Sequence, residues 1–143
     1  MAKILVVEDN ALNIKLFCDL LDAHGHETKP VTDSRDALDT ARTFRPDLVI
    51  TDIQLPHING IELMKLLRAD DELKDVPILA VTAYAAQGDD ERIRAAGARG
   101  YVSKPISVTR FVETVEGLLA EPALLEPEKE SGGPDEGAAP IES

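Results

Sequence analysis

The feature that most limits what this chain can fold into is an alternation: five short runs of aliphatic or β-branched residues, each followed by a longer segment of helical period. Such alternation is the pattern of a parallel sheet covered by helices on both faces. Lys3-Ile4-Leu5-Val6-Val7 reads as a strand buried on two faces, and Asn10 to Ala23 as a helix with Leu16, Phe17, Leu20 and Leu21 on one side, ended near Gly25. Glu27 to Val31 is a weaker strand whose Pro30 belongs at a sheet edge. Asp33-Ser34-Arg35-Asp36 opens a helix to about Phe44, Pro46 stops it, and Asp47 to Thr51 is a third strand that ends at Asp52. After the loop QLPHIN, Gly60 to about Ala69 is a helix, Pro77 to Thr82 a strand, Asp89 to Ala96 a helix capped by Gly97, and Gly100 to Ser103 a fifth strand. Ser107 caps a last helix whose buried face is expected to carry Val108, Phe111, Val112, Val115, Leu118 and Leu119.

Composition narrows the function classes. The 143 residues include 27 acids and 15 bases, for a formal charge of -12. A phosphate-backbone partner would need a Lys/Arg stripe, and five aromatic residues leave little for base stacking, so nucleic acid is not an expected partner. The longest aliphatic runs, Ile4 to Val7 and Ile78 to Val81, fall far short of the roughly 18 apolar residues of a membrane span. Nothing at the start resembles a secretory signal, and the single Cys18 excludes an internal disulfide framework, so a cytoplasmic location is expected. The charge is uneven: from Glu121 onward there are seven acids, one Lys, four Pro and three Gly, the composition of a disordered tail. Residues 1–121 are therefore expected to form the domain and 122–143 an acidic tail, with Ala123-Leu124-Leu125 as its one small apolar cluster.

In an open α/β sheet, ligands sit beyond the carboxyl ends of the strands, where the strand order reverses; for the order 2-1-3-4-5 that point lies between strands one and three. Strand one runs into Glu8 and Asp9 and strand three into Asp52, so three carboxylates from distant positions should meet in one crevice, with Thr82 and Lys104 on the same rim. Clustered carboxylates repel unless a proton or a hard divalent cation intervenes, and Mg2+ with its preference for oxygen ligands is the natural guest. Two acids suffice as ligands, which leaves the third to attack a phosphoryl group as a nucleophile. The cation and the Lys104 ammonium would then neutralise the transferring oxygens, and the Thr82 hydroxyl would donate to the new phosphate.

The stretches VVEDN at Val6 to Asn10, ITDIQLPHING at Ile50 to Gly60, AVTAYA at Ala80 to Ala85 and YVSKPI at Tyr101 to Ile106 are similar to the signature segments of two-component receiver domains. The resemblance covers residues 3 to about 120 and implies a flavodoxin-like receiver fold, a doubly wound α/β architecture with five parallel strands and five helices. Carried over residue by residue, it implies Glu8 and Asp9 as the acidic Mg2+ site, Asp52 as phosphoacceptor and the Gln54 carbonyl as a further metal ligand. It also implies Thr82 and Tyr101 as a switch pair, Lys104 as the phosphate partner and a cis peptide before Pro105. A sensor histidine kinase or histidine phosphotransfer protein would be the phosphodonor. A downstream protein would read the face made by helix four, strand five and helix five, since nothing after Glu121 is long enough for an effector domain.

An Asp-nucleophile phosphatase of the haloacid-dehalogenase kind is the rival from another class. It needs an acid two residues after its nucleophile, where this chain has Gln54, and a cap for which about 120 residues leave no room. A flavodoxin-like cofactor binder would need a phosphate-binding run after strand one, where Glu8-Asp9-Asn10 would repel the ligand. His24, His26 and His57 lack ligand spacing and are read as inert surface residues. Ile14 and Cys18, one turn apart on the shoulder of the first helix, suit either loop packing or a kinase contact, and Tyr84 either a loop filler or the signalling face. Because the tail cannot repay its ordering entropy, truncation after Glu121 is expected to leave the melting temperature and phosphorylation nearly unchanged. A large drop in either would show that the tail docks on the domain.

Overall fold

The computed structural model describes residues 2–83, 89–104 and 106–120. The expected tail, Tyr84 and the peptide before Pro105 lie outside the described residues. In chain order the elements are β1 (Lys3–Val7), α1 (Ala11–Ala23), β2 (Glu27–Val31), a 3-10 turn (Ser34–Asp36), α2 (Ala37–Phe44), β3 (Leu48–Asp52), α3 (Gly60–Ala69), β4 (Ile78–Thr82), α4 (Asp89–Ala96), β5 (Gly100–Ser103) and α5 (Val108–Ala120). All neighbouring strands pair in parallel in the order β2-β1-β3-β4-β5. Pro30 does lie in the edge strand, where its missing N–H costs little.

The period of two along each strand divides the core between the sheet faces. Leu5, Val7, Val49, Ile78 and Ala80 point to the side of α2, α3 and α4, where they meet Ala37, Ala41, Leu63, Met64, Leu67 and Ile93. Ile4, Val6, Leu48, Ile50, Leu79, Val81 and Val102 point to the other side and meet Phe17, Leu21, Phe111, Val115 and Leu118 of α1 and α5. There Phe17 and Phe111 stack with ring centroids 5.1 Å apart.

Local chemistry sets the helix ends. The Asn10 side chain accepts from the Leu12 and Asn13 amides, which caps α1. Asn59 and Glu62 form a reciprocal capping box on α3, and Gly97 takes φ 127 just after α4. The helix expected from Asp33 begins instead as a 3-10 turn, because the Asp33 carboxylate captures the Arg35 amide at 2.9 Å before α2 starts at Ala37.

Two expected core residues are on the surface. Leu16 is 38% and Val108 49% exposed, since Phe17 with Leu21 and Phe111 with Val115 already occupy the contact lines of their helices. Leu12 is also exposed, so α1 shows an apolar pair, Leu12 and Leu16, at its surface. Cys18 is half-buried against the core of its sheet face, and burial pushes its thiol up, away from the reactive thiolate. Among the described residues, no helix is long and apolar enough to cross a membrane.

Phe111→Ala removes half of the aromatic stack and opens a cavity in a fully buried site, so it should cost about 3–5 kcal/mol in urea unfolding. A loss below about 1 kcal/mol would mean that α1 and α5 repack around the gap.

Candidate functional site

Parallel pairing brings the carboxyl ends of the strands to one edge. Val7 pairs with Thr51, Asp52 with Val81 and Thr82 with Ser103, so the residues after β1, at the end of β3 and after β5 face one crevice. Glu8 continues the line of β1, its amide donating to the Val31 carbonyl at 3.1 Å, and its carboxylate accepts from the Asn10 amide at 3.1 Å. Asp52 is held from its own chain, with Oδ1 accepting from the Gln54 amide at 3.0 Å. The Lys104 amide donates to the Thr82 carbonyl at 2.8 Å, which fixes the end of β5 beside β4.

Glu8, Asp9 and Asp52 offer carboxylate oxygens that all lie within 4.8 Å of one another. Glu8 and Asp52 are buried and Asp9 is exposed, so the cluster opens to solvent on one side. The Lys104 ammonium bridges the two buried acids, at 2.7 Å from Asp52 Oδ2 and 3.3 Å from Glu8 Oε1. Burial, and then the negative charge of Asp52, raise the Glu8 carboxyl above its ordinary range against the opposing pull of the Asn10 amide and Lys104. Burial works against the Lys104 ammonium, yet its bonds to Asp52 and Glu8 outweigh it and hold that group above its usual value. A carboxylate trio with one ammonium still carries an excess of negative charge when ionised. Hard oxygen donors open to water on one side suit Mg2+, which keeps several of its own waters.

Thr82 is buried at the end of β4, on the sheet face that carries Ala80 and Ile78. Tyr101, paired with Ala80, lies on that same face and is half-buried against the core around α4. The Arg94 guanidinium of α4 stands 5.9 Å from the Tyr101 ring centroid. Six of the seven residues singled out from the sequence thus sit at this edge, with Gln54 exposed immediately beyond Asp52, whereas Tyr101 lies further inside the sheet, level with Ala80.

Three other positions escape a reading by residue type. Gly60 opens α3 so close to β3 that a Cβ built there would fall on the Asp52 carbonyl oxygen and 2.7 Å from Ile53 Cα. Ser34 is a buried hydroxyl that reaches the loop between β3 and α3. His26 is no inert surface residue: its side chain is 7% exposed, Nε2 lies 2.6 Å from Glu116, and Nδ1 accepts from the Ala2 amide. A glycine before a helix and a serine in a turn are common for many reasons, so only the tertiary contacts distinguish these.

A model of the response regulator receiver domain matches residues 4–116. The chain belongs to the response regulator receiver domain family. This receiver is 52% identical over 118 residues to the polar-differentiation response regulator DivK of Brucella anthropi, covering 82% of this chain and 96% of that one. The DivK of Brucella ovis is 51% identical over the same length and coverage. Among solved structures, the chemotaxis protein CheY4 of Vibrio cholerae superimposes with a TM-score of 0.78 at 30% identity, covering 82% of this chain and 98% of that one. The receiver domain of a sensor histidine kinase from Pseudomonas aeruginosa, solved with magnesium in its active-site cleft, gives 0.77 at 31% identity and covers 84% and 98%. The chain is thus a receiver of two-component signalling.

Gly60→Ala should push the end of β3 and with it the Asp52 carboxylate, because backbone rather than a flexible side chain fills the space. Overpacking of this kind costs typically about 1–3 kcal/mol, to be read in thermal unfolding together with displaced Asp52 and Lys104 resonances. Unchanged stability and resonances would show that α3 can step back without disturbing the site.

Proposed function

We propose that Asp52 accepts a phosphoryl group from a sensor histidine kinase or histidine phosphotransfer protein, and that the chain relays it as a change in protein binding. The observation that carries this reading is the Lys104 ammonium bound to both buried acids, Glu8 and Asp52, beside an exposed third acid. Glu8, Asp9, Asp52 and the Gln54 carbonyl would hold Mg2+. The bound ion would supply stabilisation of charge on the transferring oxygens. Residues 1–121 act as the receiver and 122–143 as an appended acidic segment.

Asp52 Oδ1 is tied to a backbone amide, whereas Oδ2 is tied to a side chain that can shift, so Oδ2 is the attacking atom. As its bond to phosphorus forms, the phosphorus–nitrogen bond of the donor phosphohistidine breaks. The departing imidazole nitrogen keeps the electron pair and takes a proton from water. Lys104 moves from Oδ2 to a phosphoryl oxygen, which keeps its charge paired, and the Thr82 hydroxyl donates to another. Leu12 and Leu16 on α1 suit the docking of a helical phosphodonor next to the crevice. Gln54 follows Asp52 by two residues and cannot act as a general acid, which favours signalling over phosphatase catalysis.

Movement of Thr82 towards the phosphate frees space on the α4 side of the sheet, into which the half-buried Tyr101 ring turns. A downstream protein reads the resulting surface of α4, β5 and α5. The likeness to polar-differentiation regulators points to polarity or cell-cycle control as the output, and the free thiol of Cys18 suits a cytoplasmic setting.

With an acyl-phosphate donor and Mg2+, mass spectrometry should find one added phosphoryl group in the wild type and none in Asp52→Asn or after metal chelation. Equal labelling of Asp52→Asn would sink the proposed site. Thr82→Ala should still be phosphorylated but lose most of the phosphate-dependent gain in partner affinity. A coupling of about 1–3 kcal/mol makes that gain about 5- to 150-fold.

A further inference from the structure

Ser34 lies in the 3-10 turn after β2, far along the chain from Asp52, and is 2% exposed. Its hydroxyl is used twice: Oγ donates to the Pro56 carbonyl at 2.8 Å and accepts from the Ile58 amide at 3.1 Å. Those two peptide groups flank His57, which takes φ 69, in the left-handed region. That region is uphill for any residue with a Cβ, and His57 is exposed, so no packing of its side chain explains the choice. One buried hydroxyl therefore closes both sides of a strained residue.

The strained residue sits three positions after Gln54. Between them, Pro56 has its φ locked by its ring and restricts Leu55 to extended backbone, while the Leu55 side chain is buried in the core. The segment from Gln54 to Pro56 is thus a stiff arm, anchored at one end by the Gln54 amide on Asp52 and at the other by Ser34. If the hydroxyl is lost, the half-buried Pro56 carbonyl and Ile58 amide lose their shared partner, and His57 can relax to negative φ. The arm then swings about its Asp52 end.

We propose that Ser34 is a positioning residue for the metal site: by clamping His57 in its left-handed conformation it fixes the loop that presents the Gln54 carbonyl beside Asp52. The inference rests on the reading above in which that carbonyl is a Mg2+ ligand. It adds the β2–α2 connection, which holds none of the acids, to the parts that set metal affinity.

The test is a Mg2+ titration of the full chain without phosphodonor, followed by the amide resonances of Glu8, Asp9, Asp52 and Gln54. Outer partners of metal ligands typically matter by about 10- to 100-fold, so Ser34→Ala should weaken Mg2+ by about tenfold. Its phosphorylation rate at saturating Mg2+ should stay near that of the wild type. Adding His57→Gly to Ser34→Ala should recover most of the affinity, because glycine reaches positive φ without help. From the other end, His57→Val with Ser34 intact should weaken Mg2+ several-fold, since a β-branched residue resists that φ. This variant decides the question if Ser34→Ala does not fold.

Wild-type affinity in Ser34→Ala, or in His57→Val, overturns the proposal. So does a loss in Ser34→Ala that His57→Gly fails to recover, for Ser34 would then act through packing alone. A wild type whose Glu8, Asp9 and Asp52 resonances ignore Mg2+ overturns the metal reading itself and this inference with it.

Discussion

Everything at the carboxyl edge of the sheet depends on how Lys104 holds two buried carboxylates together. Unit charges about 4 Å apart interact by about 4 kcal/mol at an effective dielectric of 20, so Glu8 and Asp52 would separate or protonate without a cation between them. The ammonium contacts both, and the amides of Asn10 and Gln54 satisfy further lone pairs. Such a group of charges makes a poor contribution to stability, because removing the acids from water costs several kcal/mol per ion before any attraction is counted. Its presence makes sense as stored negative potential. One ammonium cannot neutralise three ionised acids, and a divalent ion on the exposed Asp9 side would complete the balance.

Much of this was legible in the sequence because a parallel sheet converts chain order into spatial order. Once five strands alternate with helices, the ends of strands one and three must be neighbours at the switch point, and Glu8, Asp9 and Asp52 are read directly from where the apolar runs stop. Lys104 follows from the end of strand five by the same rule. Thr82 and Tyr101 were paired in the sequence only by the family resemblance; that they share one face follows from the register of β4 and β5. The helix ends were legible where the residue type speaks for itself, as at Asn10 by its side chain and at Gly97 by its lack of one.

The rest depended on quantities that no residue name carries. The apolar arc of α1 includes Leu12, Leu16, Phe17, Cys18, Leu20 and Leu21, wider than one sheet face can cover, and the pattern does not say which edge stays wet. Only packing decides that Phe17 and Leu21 go in and Leu16 stays out. Gly60 matters for the space taken by the Asp52 carbonyl, and Ser34 for two peptide groups more than twenty residues away. His26 looks like any loop histidine until Glu116, 90 residues later in the chain, closes on it.

The unequal holding of the helices suggests where a change at Asp52 is felt. α3 buries Leu63, Met64 and Leu67, and α5 buries Phe111, Val115 and Leu118, each large side chain contributing about 1.5–3 kcal/mol. Among the described side chains of α4, only Ile93 and Ala96 are buried, and the others are mostly charged and exposed. Displacing α4 therefore costs less than displacing α3 or α5. It is also the helix whose Arg94 stands over Tyr101, on the sheet face that Thr82 shares. The Thr82 carbonyl is tied to the Lys104 amide, so a group that draws on the Thr82 hydroxyl and the Lys104 ammonium together acts on the ends of β4 and β5 as one unit. A phosphoryl group needs only a few kcal/mol of preference for one arrangement of that unit to shift the population of a two-state element. The fold thus sets a cluster of buried charge at the ends of strands that also border a lightly held helix, which is what a small covalent change requires if it is to alter a surface.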